Sequence, residues 1–172
     1  MVSDQYGRTK NSTQVSELST AENKGESGCE RNGHMGGTNP YIQKADYALP
    51  QRAYTVTFVA PDGMVRKIEV DPVKIPYGPT GLPGSLLDVA MGNGVALEHV
   101  CGGVCACSTC HVIVKQGIES CNEGTYDEFD QLEEAPITTL QSRLGCHCVP
   151  NGTKDIVVEI PAVNKNLVKE GH

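Results

Sequence analysis

Four cysteines fall within ten residues, Cys101-Gly-Gly-Val-Cys105-Ala-Cys107-Ser-Thr-Cys110, and no other feature restricts the chain as strongly. The chain has eight cysteines in 172 residues, and its opening MVSDQYGRTKN lacks the apolar core of a secretion signal. Metal or redox chemistry is therefore expected rather than a disulfide framework. Three thiolates from one short loop require tight backbone curvature, and Gly102, Gly103, Ala106 and Ser108 are small enough to permit it. Backbone N–H groups of such a loop can point at the sulfurs and stabilise negative charge. A fourth ligand must come from downstream, where Cys146 and Cys148 compete, since residues two apart on a strand face the same way.

Two irons bridged by two sulfides each need two further soft ligands to be tetrahedral, so four thiolates suffice. A structural zinc ion in a protein-interaction module is the alternative. Zinc modules usually bring two C-x2-4-C knuckles, whereas here a compact triad is completed by one distant residue. With Cys101, Cys107, Cys110 and Cys146 the pattern is C-x5-C-x2-C-x35-C, one residue longer in its loop than the plant-type C-x4-C-x2-C spacing. Four protein ligands leave no open metal position, which suits one-electron transfer and not catalysis at the metal.

The rest of the composition narrows the class. Lys plus Arg is 14 and Asp plus Glu is 21, a formal charge of −7, which argues against a nucleic-acid surface. No apolar run approaches the ~20 residues of a membrane span. Residues 1–50 read as a disordered tail: Ser, Thr, Asn and Gly dominate the first forty, with no apolar periodicity. Five acids there count against a mitochondrial presequence, and Cys29 and His34 read as a stray thiol and imidazole.

Residues 51–166 read as one domain and 167–172 as a short tail. Tyr54–Val59 alternates as a half-buried strand, Pro61-Asp62-Gly63 is turn chemistry, and Met64–Val70 reads as the returning strand. Residues 71–84 hold four prolines and three glycines and read as a long loop. Ser85 caps an expected helix over 86–91, ended by Gly92-Asn93-Gly94. Further expectations are a strand at 111–115, an acidic helix from Tyr126 to Ala135 stopped by Pro136, and a closing strand at 155–160.

The sequence resembles the adrenodoxin-type [2Fe-2S] ferredoxins, the branch that includes the iron–sulfur-cluster-assembly ferredoxins. The resemblance rests on Gly84-Ser-Leu-Leu-Asp-Val-Ala90, on the run from Glu98 to His111, on Ser142-Arg-Leu-Gly-Cys146 and on Val158-Glu-Ile-Pro161. It implies an α+β β-grasp fold with a mixed sheet and a surface-proximal [2Fe-2S] cluster held by Cys101, Cys107, Cys110 and Cys146. It also implies a soluble one-electron carrier, not an enzyme. The expected donor is an NAD(P)H-dependent ferredoxin reductase. The expected acceptor is a cysteine desulfurase/scaffold complex or a cytochrome P450 or other oxygenase. A bacterial cytoplasm fits the tail, and relatives also occupy the mitochondrial matrix.

Seven acids and no Lys or Arg lie from Glu119 to Glu134. Such a run is commonly a solvated face. The resemblance implies instead that Asp127, Glu128, Asp130, Glu133 and Glu134 dock basic partners, with Asp130 and Glu133 as the main pair. It also implies a hydrogen bond from His111 towards the fourth-ligand segment, and a pairing of Arg143 with Glu128 as scaffold. Cys105 is either an accessory thiol during cluster insertion or a small buried filler, and the filler reading is favoured. Cys121 reads as a free thiol; His99 and His147 read as surface or packing residues.

Overall fold

A computed structural model describes residues 44–163. Residues 1–43 of the expected 1–50 tail, with Cys29 and His34, and the expected 167–172 tail lie outside the described residues. Residues 44–50 form no helix or strand, yet Ala45 and Pro50 are buried, and a Cβ added to Gly152 would meet Pro50 at 2.7 Å. The folded part therefore includes the end of the segment expected to be tail.

Five strands form one mixed sheet in the order β2-β1-β5-β3-β4. Strands β1 (Tyr54–Val59) and β2 (Val65–Val70) are the expected hairpin, paired antiparallel from Tyr54 with Val70 to Val59 with Val65. Gly63 takes φ 83° at the turn, and Asp62 accepts the Met64 N–H at 2.9 Å. Tyr54, Val56 and Phe58 face the core, and the threonines between them are half-buried. Strand β5 (Ile156–Glu159) lies parallel to β1, while β3 (His111–Gln116) runs antiparallel to both β5 and β4 (Ser142–Leu144). A hairpin joined in parallel to the last strand, with a helix against the sheet, is the β-grasp arrangement expected.

Helix α1 (Leu86–Gly92) starts at Ser85, whose Oγ accepts the Asp88 N–H at 3.2 Å. It buries Leu86, Leu87, Val89 and Ala90 in the core with Val56, Phe58, Val112 and Val158. Helix α2 (Tyr126–Glu133) is capped in the same way by Thr125 and buries Leu132. The 71–84 loop is not free. Asp88 reaches from α1 and accepts backbone N–H groups from Tyr77 (3.1 Å), Gly78 (2.8 Å) and Gly84 (2.9 Å). Burial pushes the Asp88 carboxyl up, and these three donors work against that shift. Among the described residues no helix is long and apolar enough to cross a membrane.

Candidate metal centre

The loop from Cys101 to Cys110 is a succession of turns between the segment after α1 and the start of β3. Its curvature comes from left-handed backbone at Gly102 (φ 75°), Gly103 (φ 84°) and Cys105 (φ 57°). For Cys105 this conformation costs about 1–2 kcal/mol, because a Cβ crowds the carbonyl there. Gly103 is constrained twice, since a Cβ would stand 2.5 Å from the backbone nitrogen of Gly81. At Gly102 a Cβ would meet open space.

The thiols fall into two groups. Cys101 lies close to Cys107, and Cys146 lies close to both Cys105 and Cys110. Burial pushes Cys101 up, opposed by N–H donors from Ala106 and Gly103. Burial also pushes Cys107 up, but donors from Thr109 and Cys101 outweigh it and hold Cys107 below the usual thiol range. The Thr109 Oγ1 accepts the Val100 N–H at 2.9 Å and lies 3.1 Å from the Cys107 sulfur, within hydrogen-bonding reach of it. Neighbouring Cys105 and Cys110, then burial, hold Cys146 well above the usual range. Neighbouring Cys146 and His147 overcome burial and bring Cys105 down to about 6.

Cys101, Cys107, Cys110 and Cys146 would supply the four soft ligands that a two-iron, two-sulfide group requires. Ser108, between Cys107 and Cys110, is buried, and its Oγ, like the Nδ1 of His111 and of His147, has no hydrogen-bond partner among the described residues. Buried polar atoms without partners are rare, and a sulfur-rich group among these residues would satisfy such donors. Among the described residues no three His, Cys, Asp or Glu side chains gather as a single metal ion requires.

The fourth-ligand segment is tied on three sides. The Gly145 N–H donates to the Cys110 carbonyl at 2.8 Å. Leu86 and Leu87, whose N–H groups open α1 and have no helical acceptor, donate to the carbonyls of Cys148 and Gly145 at 2.9 Å each. The Leu82 N–H donates to the Cys146 carbonyl at 2.9 Å, so the Pro/Gly loop lies against the metal centre. A turn beginning at Leu144, whose carbonyl accepts N–H groups from His147 and Cys148, sends the rival cysteines different ways. Cys146 meets Cys110, and Cys148 meets Cys121. The strand geometry that made Cys148 a rival is absent. Nothing in the sequence signalled the approach of Gly81 to Gly103.

Of the five expected docking acids, Glu128 is corrected. It is fully buried, and its Oε1 accepts Arg143 Nε at 2.7 Å and the Leu144 N–H at 2.8 Å. The Oε2 accepts Arg143 Nη2 at 3.0 Å. A carboxylate so engaged cannot face a partner; it fixes α2 to the strand that leads into Cys146. Asp130, Glu133 and Glu134 are exposed and Asp127 is half-buried. Exposed apolar side chains that the charge run concealed accompany the acids: Tyr126 and Phe129 stand among them, and Ile137 and Leu140 follow, Leu140 fully exposed. His111 Nε2 lies 2.8 Å from Ser142 Oγ, the reach towards the fourth-ligand segment that was expected. Ala106 is exposed at the loop surface. His99 is half-buried against the Leu97 carbonyl at 2.8 Å, and His147 is buried.

Comparison with known proteins agrees with this geometry. The profile of the 2Fe-2S iron-sulfur cluster binding domain matches residues 81–151. A 2Fe-2S ferredoxin of Haemophilus influenzae is 49% identical over 86 residues, 50% of this chain and 75% of that protein. An adrenodoxin homolog of Encephalitozoon cuniculi is 36% identical over 124 residues, 66% of this chain and 93% of that protein. The crystal structure of an ISC-like [2Fe-2S] ferredoxin from Pseudomonas putida superposes with a TM-score of 0.55 at 33% identity, covering 66% of this chain and 96% of that one. With grouped thiols in a β-grasp scaffold and relatives matched over most of their length, the chain belongs to the adrenodoxin-type [2Fe-2S] ferredoxins.

Proposed function

We propose that the protein carries single electrons from an NAD(P)H-dependent ferredoxin reductase to a cysteine desulfurase/scaffold complex that assembles iron–sulfur clusters. The observation that carries this reading is the nearness of Cys101 to Cys107 and of Cys110 to Cys146, which would give each iron of a two-iron group its two protein ligands. When bound, the [2Fe-2S] cluster supplies one reversible electron. The chain's own residues hold it, direct N–H and O–H donors at the ligand sulfurs, and present Asp130, Glu133 and Glu134 to solvent beside α2. Those acids attract a basic partner surface and speed encounter. Similarity to an ISC-like ferredoxin and the Cys-Gly-Gly-Val-Cys-Ala-Cys loop favour the assembly machinery over a cytochrome P450 or other oxygenase as acceptor.

The full chain, purified with its native metal, is mixed anaerobically with NADPH and a catalytic amount of ferredoxin reductase while visible absorbance is followed. Bleaching by one electron per protein is expected, followed by capture of a desulfurase complex when the reduced protein is used as bait. Absence of iron and acid-labile sulfide would refute the carrier. Capture of a monooxygenase in place of the desulfurase would reassign the acceptor.

A further inference from the structure

Cys121 and Cys148 belong to neither group at the metal centre. Cys121 follows the short 3-10 helix Ile118–Ser120, and Cys148 follows the turn that carries Cys146. Their two segments are held antiparallel. The Asn122 N–H donates to the Val149 carbonyl (3.2 Å), the Asn151 N–H donates to the Ser120 carbonyl (2.8 Å), and the Val149 N–H donates to Asn122 Oδ1 (2.8 Å). Within this frame the two cysteine side chains are near enough for each to perturb the other, and the Cys121 thiol donates to the Gly117 carbonyl at 3.9 Å. Their exposures differ. Cys148 is fully buried, whereas Cys121 is half-buried and lines a surface cavity of about 290 Å³ beside Tyr47, Asn122 and Val149.

We propose that Cys121 and Cys148 are a reversible dithiol–disulfide site, oxidised through that cavity by small-molecule disulfides of the glutathione type. An accessible sulfur with a second, shielded sulfur directly behind it is the arrangement in which a mixed disulfide resolves within the protein. Neighbouring Cys148 and Arg143 hold Cys121 below the usual thiol range against burial, which raises its thiolate fraction. The Cys121 thiolate attacks one sulfur of the small disulfide, whose S–S bond breaks. One small thiolate leaves and takes up the proton that Cys121 released. Cys148 then attacks the Cys121 sulfur, and the second small thiol departs with the Cys148 proton. Two protein thiols become one cystine, and one small disulfide becomes two small thiols, so atoms and electrons balance. The four ligand sulfurs take no part. The new bond would join the chain just before the acidic helix to the chain just after Cys146.

The test uses the full-length holoprotein, anaerobic, in glutathione buffers from fully reduced to fully oxidised. Cluster absorbance is recorded throughout, and free thiols are alkylated before digestion and mass spectrometry. A peptide pair linked through Cys121 and Cys148, lighter by two hydrogens, is expected to accumulate with absorbance unchanged and to disappear on adding dithiothreitol. Cys148→Ser is expected to stop at a glutathionyl adduct on Cys121. The wild-type chain decides the matter even where that variant folds poorly. A lasting Cys121 adduct in the wild type, both thiols free at every ratio, or linkage only after the absorbance is lost would each overturn the proposal.

Discussion

Gly102 and Gly103 stand side by side in the ligand loop with nearly equal φ, yet they answer to different demands. Gly102 needs only the left-handed conformation, because a methyl group there meets nothing. Gly103 needs the same conformation and also the space occupied by the Gly81 backbone, 2.5 Å away. Gly102→Ala is therefore expected to cost about 1 kcal/mol. Gly103→Ala is expected to cost roughly 3 kcal/mol, since it adds a backbone clash of the overpacking kind to the same strain. Urea unfolding of the two holoproteins checks the order, and iron content should fall in the second variant only. Part of this was legible beforehand: small residues in a tight cysteine loop announce curvature. Their division of labour was not, because the partner of Gly103 lies more than twenty residues earlier and touches it only in the fold. The left-handed turn at Cys105 was equally hidden, as that residue type does not advertise positive φ.

At the scale of elements, α2 is two things on one short helix. Its outward side carries Asp130 and Glu133, while its inward side carries Glu128 into a buried ion pair with Arg143. Removing one partner of such a pair strands the other charge, so Glu128→Ala is expected to cost about 3–5 kcal/mol. It should loosen the Cys146 segment as well, because the Leu144 N–H loses its acceptor. Thermal melting followed separately by cluster absorbance and by far-ultraviolet circular dichroism checks both effects. The sequence placed β1, β2, β3, β5 and both helices within a few residues, since each combines clear alternation or a side-chain cap with a turn signal. It missed β4, where three residues are too few to show a period and all are buried. The inward turn of Glu128 was blurred for a related reason: a run of acids shows charge, but which face meets the protein is settled by what packs against it.

For the whole molecule, charge is the dominant property. A chain at −7 gains two further negative charges when four thiolates hold an oxidised two-iron, two-sulfide core, giving about −9 by formal count. A field of that sign would steer a basic partner to the acidic face. Replacing Asp130 and Glu133 with Lys is expected to slow reduction by the cognate reductase roughly tenfold at low salt. The gap should narrow as ionic strength rises and screening sets in. Stopped-flow rates across a salt series check this, and rates that stay equal would remove the acids from docking. Exposed Phe129, Ile137 and Leu140 would add contact area in such a complex that salt does not weaken, so a salt-insensitive remainder of affinity is expected.

Gly81 is wedged where three stretches remote in sequence cross, against Gly103 on one side and Cys146 on the other, with Leu82 bonded to the Cys146 carbonyl. Lifting that one crossing is expected to unlatch both halves of the metal site together, so that local breathing rather than global melting would set the lifetime of the loaded protein. Asp88→Ala, which frees the strap from α1 without touching a ligand, should speed Leu82 amide exchange and iron leakage to a chelator in equal proportion.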